Sequence, residues 1–184
     1  IKNIKSLLTL LKSISKNSKI NRFRISSIEP NLLTNEIVQL IKISNSFLPH
    51  FHIPLQSGSD KILKLMKRKY NSKMYFNKIK LIQKTMPSAC IGADVIVGFP
   101  GETEEDFEVT YKYLKSLDIS YLHVFSYSIR NKTIASDMKD QTLKSVKLDR
   151  SRKLQILSNR MRQSFYYKNI NKERKVLFEN IYNN

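Results

Sequence analysis

The 184-residue chain has one cysteine, Cys90, which excludes an internal disulfide framework. It also lacks any apolar run approaching the roughly 18 residues that cross a bilayer, and it opens without a secretory signal. A cytoplasmic protein with no membrane partner is therefore expected. No nucleophile–base pair stands out. His50 and His52 share one face of a short strand, but no third ligand lies near them in the sequence, so no metal site is expected. Cys90 starts an apolar strand and reads as a small packed residue rather than a nucleophile. His123, also within an apolar strand, reads as core-adjacent or as facing a ligand near the strand's end. Internal repeats and low-complexity tracts are absent.

Acidic residues are scarce, 15 against 33 basic ones, for a formal net charge of +18. A polyanionic partner would account for that imbalance, because clustered Lys and Arg neutralise phosphates and release counterions. Lysine supplies 24 of the basic residues, a bias that AT-rich coding also produces. The distribution says more than the total. Residues 1–85 carry 17 basic and 3 acidic groups, residues 86–128 carry 2 and 7, and residues 129–184 carry 14 and 5. An acidic segment thus lies between two basic ones.

Strand and helix patterns alternate after a basic amphipathic helix over 4–15. Strands are expected at 22–28, 51–55, 91–97 and 121–127, with helices after each of the first three. That order implies parallel strands joined by crossover helices. Beyond Ser128 the pattern changes to a polar connection and a long helix over 145–168, then a strand starting at Lys175. The most informative stretch runs from Ala93 to Phe107: an apolar strand, the turn Gly98-Phe99-Pro100-Gly101, and a helix start with Thr103 as N-cap and Asp106 at the reciprocal capping position. Glycine lets the backbone approach a ligand at that strand end. Parallel strands collect their ends on one rim, here Ser26, Ser27, Glu29, Gln56, Ser57, Ser59, Ser126 and Tyr127, with Asp94 and the glycine turn.

The run Phe51-His52-Ile53-Pro54-Leu55-Gln56-Ser57-Gly58-Ser59, then Met66-Lys67-Arg68, then Asp94-Val95-Ile96-Val97-Gly98-Phe99-Pro100-Gly101-Glu102-Thr103, resembles the radical S-adenosylmethionine methylthiotransferases. Arg24-Ile25-Ser26-Ser27-Ile28-Glu29-Pro30 and Leu122-His123-Val124-Phe125-Ser126-Tyr127-Ser128 look like the branch acting on threonylcarbamoyladenosine beside the tRNA anticodon. The resemblance implies an α/β fold, a partial (β/α)6 radical SAM barrel holding about the last four strands over 1–145. A connecting helix over 146–172 and the start of a small β-barrel RNA-binding domain over 173–184 would follow. It implies S-adenosylmethionine bound by Gln56, Arg68 and Asp94, with Gly98 and Glu102 shaping the adenine pocket and Val124 and Phe125 flanking the adenine. Phosphate contacts are expected from Arg150, Arg152, Lys153, Arg160, Arg162, Lys172, Arg174 and Lys175.

The implied reaction is methylthiolation at C2 of the adenine, with tRNA and an electron donor as partners. The alternatives are the isopentenyl-adenosine branch, a non-catalytic tRNA-binding remnant, or another radical SAM enzyme sharing the barrel. Such enzymes hold two [4Fe–4S] clusters, one on a Cys-x3-Cys-x2-Cys loop, and those cysteines are not in this chain. The chain begins with Ile, so it reads as a piece of a longer enzyme whose N-terminal part carries them, inactive by itself.

Overall fold

The computed structural model describes residues 6–174. The expected strand from Lys175, most of its small β-barrel, and Lys175 itself fall outside them.

Three strands, β1 (His50–His52), β2 (Cys90–Val97) and β3 (Tyr121–Ser126), form a parallel sheet in that order. Among the described residues, six α-helices alternate with them along the chain: α1 (Leu7–Asn17), α2 (Asn35–Ile43), α3 (Asp60–Leu65), α4 (Ser72–Thr85), α5 (Glu104–Ser116) and α6 (Lys144–Tyr167). The α/β class and the parallel pairing follow the sequence pattern. The fourth strand does not. The 22–28 segment makes an isolated bridge, Phe23 to Phe47, ahead of β1, and touches β1 itself where the Ile28 N–H donates to His52 O. Contact at the two ends alone leaves no continuous ladder.

β2 shows why the sheet divides space in two. Ile91, Ala93, Val95 and Val97 are buried in one core with Phe51, Ile53, Leu55 and Leu122, sealed by α2, α4, α5 and α6 through Ile37, Ile79, Phe107 and Leu154. The intervening Gly92, Asp94 and Ile96 point the other way, as strand alternation requires. The apolar run therefore conceals a polar face.

Helix starts are fixed by side-chain caps. Ser6, Thr34, Ser59 and Asn71 cap α1 to α4, and Thr103 with Asp106 forms the reciprocal box expected for α5. The backbone beyond β1 is held from α4 and its approach: Tyr75 Oη donates to Ile53 O at 2.9 Å and Tyr70 Oη to Pro54 O at 3.0 Å. Burial pushes the fully enclosed Tyr75 phenol well above its ordinary value. Tyr75→Phe should therefore destabilise the chain by about 1–3 kcal/mol, because Ile53 O is left without its buried donor. Urea unfolding of the two proteins measures it, and equal midpoints would remove this role.

Candidate functional site

Register decides which polar side chains meet. His52 pairs with Gly92, Gly92 with Tyr121, and Asp94 with His123. The outward faces of the three strands thereby line a cavity of about 450 Å³ with His50, His52, Asp94, Tyr121, His123 and Phe125, and Arg24, Ser26 and Ser27 close its other side.

Asp94 is the hub. Its Oδ1 lies 2.8 Å from His52 Nε2 and 3.3 Å from His123 Nδ1, and no described residue bonds Oδ2. The three offer ligand atoms within 4.8 Å of one another, a set able to hold a metal ion. This corrects the expectation that no further ligand lies near the His50/His52 pair: strand pairing gives His52 one from β2 and one from β3, while His50 stays outside the set. A Cβ on Gly92 would sit 2.2 Å from Cζ of Tyr121. Its absence lets the Tyr121 ring lie across β2, with its hydroxyl 2.9 Å from His50 Nε2. Burial, then Arg24, then His52 hold His50 below its ordinary value.

Gln56 sits beyond β1 with φ +69°, a region most side chains avoid. Its N–H donates to Asp94 O at 2.8 Å and its carbonyl accepts from Ile96 N at 2.9 Å, so the sheet enforces the conformation. Its side-chain Oε1 is buried with no partner. Arg68 places Nη1 3.2 Å from Glu29 Oε1, while its Nε is buried and also unpartnered. Strain and orphaned polar atoms at one rim point to a ligand. S-adenosylmethionine fits both orphans, an amide oxygen that accepts and a guanidinium that donates to a carboxylate. Iron–sulfur clusters do not fit this chain's own donors: burial pushes the lone Cys90 thiol up, and a cluster takes several thiolates.

The glycine turn is held from inside. Gly98 N–H donates to Glu102 Oε2 at 2.6 Å, and Arg150 Nη1 reaches the same oxygen at 2.7 Å. Arg150 also bonds Glu104 Oε2 at 2.9 Å. Gly98 has φ +70°, and a Cβ there would meet Lys147 Cγ at 2.4 Å, so glycine alone fits. Glu102 thus acts on any pocket through the turn. Burial pushes its carboxyl up, against the Gly98 N–H and Arg150, which pull it down.

Two expectations change. Arg150 is 4% exposed and committed to two carboxylates, so it is not available to phosphate. Val124 packs against the core while Phe125, 51% exposed, faces the cavity. Neighbours on a strand point to opposite faces, so the two side chains cannot flank one ring. Arg152, Lys153, Arg160, Arg162, Lys172 and Arg174 are exposed; Lys153 is paired to Asp149 and Arg174 to Asn169. Sequence reasoning missed Arg24, His50 and Tyr121 as neighbours of Asp94. The available signal was the two-residue spacing of His50 and His52, of Gly92 and Asp94, and of Tyr121, His123 and Phe125.

A three-stranded parallel sheet flanked by helices, with a glycine turn and orphaned polar atoms beyond its strands, is an α/β architecture suited to binding a cofactor at the strand ends. The radical SAM superfamily model matches residues 2–114, and the chain belongs to that superfamily. It is 43% identical over 172 residues to the threonylcarbamoyladenosine tRNA methylthiotransferase of Aquifex aeolicus, covering 94% of this chain and 42% of that one. It is 40% identical over 149 residues to the tRNA-2-methylthio-N6-dimethylallyladenosine synthase of Clostridium tetani, covering 81% and 33%. The chain thus spans less than half the length of these relatives. Among solved structures, coproporphyrinogen III oxidase of Escherichia coli superposes with a TM-score of 0.66 at 18% identity, covering 83% of this chain and 36% of that one, which speaks to fold alone. No helix among the described residues is long and apolar enough to cross a membrane.

Proposed function

We propose that this chain forms the later strands of a radical SAM barrel, within residues 1–145, in an enzyme that methylthiolates C2 of N6-threonylcarbamoyladenosine next to the tRNA anticodon. The carrying observation is the pair of orphaned atoms, Gln56 Oε1 and Arg68 Nε, on residues the motifs assign to the cofactor. Arg68 would hold the methionyl carboxylate and Asp94 Oδ2 would accept from a ribose hydroxyl, while Phe125 covers the adenine. Bound S-adenosylmethionine supplies the radical chemistry. The residues of this chain bind and orient it. Two [4Fe–4S] clusters and their cysteines would come from the N-terminal part of the same enzyme, with an external electron donor. The same cytoplasmic enzyme would hold tRNA through Arg152, Lys153, Arg160, Arg162, Lys172, Arg174 and Lys175. Two of the most similar relatives, in Aquifex aeolicus and Bacillus subtilis, carry threonylcarbamoyladenosine in their names at 43% and 42% identity. That favours this base over the isopentenyl one.

The test is tRNA binding by the chain across a salt series. Affinity should fall linearly on a log–log plot with a slope of roughly 0.7–0.9 per phosphate contact, and charge-removing changes at Arg160 and Arg162 should each flatten it by about one contact. Salt-independent binding, or none, would overturn the tRNA assignment.

A further inference from the structure

The cavity under Phe125 has an unusual charge economy. Its one carboxylate, Asp94, is engaged through Oδ1 by His52 and His123. Its one guanidinium, Arg24, makes no ion pair or hydrogen bond with any described residue, yet its charge is felt by His50 and Tyr121. Ser26 and Ser27 line the same wall with exposed hydroxyls that bond no described residue. Among the described residues, the cavity thus presents an unpaired cation and two unpaired hydroxyls beside an acid engaged through one of its two oxygens. We propose that Arg24, with Ser26 and Ser27, is a receptor for the carboxylate of an amino acid carried on the adenine base, on the side of the cavity away from Phe125. This rests on the reading above and names the groups that would select a threonylcarbamoyl-bearing base over an apolar one.

The physical argument is one of matching. A carboxylate entering a half-enclosed cavity loses water and needs a charged donor in return, which a guanidinium provides as a planar fork. A β-hydroxyl on the same amino acid needs a small partner that both donates and accepts, as a serine does. An isopentenyl group has neither, and would leave Arg24 desolvated without compensation. The volume, about 450 Å³, lies in the range of small-molecule sites. Gly92 helps create it by letting Tyr121 lie flat on the sheet.

The methionyl carboxylate of S-adenosylmethionine is a second source of the same chemistry, so the experiment separates the two. Calorimetric titration of the chain with the free nucleoside N6-threonylcarbamoyladenosine, its carboxyl methyl ester, N6-isopentenyladenosine and S-adenosylmethionine supplies the arms. The acid should bind at least tenfold more tightly than its ester or the isopentenyl nucleoside. Arg24→Gln should erase that preference, leave S-adenosylmethionine binding unchanged and, because Arg24 is exposed, leave thermal unfolding unchanged. Equal binding of acid and ester by the unaltered chain overturns the proposal without needing any variant, as does absence of nucleoside binding. A loss of S-adenosylmethionine binding alone would reassign Arg24 to the cofactor. Since the nucleoside carries no phosphate, failure here leaves the salt-dependent tRNA test standing, and failure there leaves this one readable.

Discussion

Arg150→Met should lower the stability of the chain by about 3–5 kcal/mol at neutral pH, the cost of leaving one member of a buried ion pair without its partner. Glu102 and Arg150 side chains are 1% and 4% exposed and 2.7 Å apart, so the intact pair is shielded from solvent. The dependence on pH has a definite sign. Burial raises the Glu102 carboxyl above its ordinary 4.5, and removing the guanidinium raises it further, so the variant's penalty is smallest when Glu102 is protonated and grows as pH rises beyond the ordinary carboxylate range. Urea unfolding at pH 4 and pH 7 reads both. A loss below about 1 kcal/mol at both values would mean the pair contributes only what a surface bridge does. Because Glu102 also takes the Gly98 N–H at 2.6 Å, the same variant should loosen the glycine turn and weaken S-adenosylmethionine binding.

Asp106→Ala should cost about 3 kcal/mol, because four bonds end on this carboxylate. Ser59 Oγ donates at 2.8 Å, Lys61 Nζ at 2.7 Å, Thr103 Oγ1 at 2.9 Å and Thr103 N–H at 3.1 Å. They tie the start of α3 to the start of α5, and so join the two motif segments. Although burial opposes it, these donors, Lys61 foremost, hold the carboxyl at about 2. A depressed carboxyl contributes stability above its unfolded value of 3.8 and loses it as pH falls through 2. Acid unfolding of the unaltered chain should therefore include a contribution of about 2 kcal/mol lost between those values and missing from the variant. Superposable acid-unfolding profiles would refute it.

Much of this was legible in the sequence because it is local. Thr103 and Asp106 sit three residues apart before an apolar helix face, and a capping box needs nothing more. The strand at 90–97 was visible as an apolar run, and Gly98 marked the turn because its backbone conformation excludes other residues. The 22–28 segment has strand-like residues, yet whether a ladder forms depends on a neighbour's path, and here backbone pairing is limited to Phe23 and Ile28.

Asp94 and its two histidines show where local reading stops. Composition gave their types and alternation gave their faces, but the two-residue period holds for any register. Only the pairing of Asp94 with His123, and of His52 with Gly92, brought the three onto one oxygen. Arg150 is the complementary case: on a helix rich in exposed cations it has the same sequence signature as Arg152 or Arg160, and burial against Glu102 alone sets it apart. The sequence by itself determined the alternating α/β order, the caps, the glycine turn and the superfamily motifs, because each follows from short-range sterics and hydrogen bonding. The tertiary structure decided which polar groups share a cavity, which cation is buried and which acceptors stay orphaned, because those follow from distances between residues far apart in the chain.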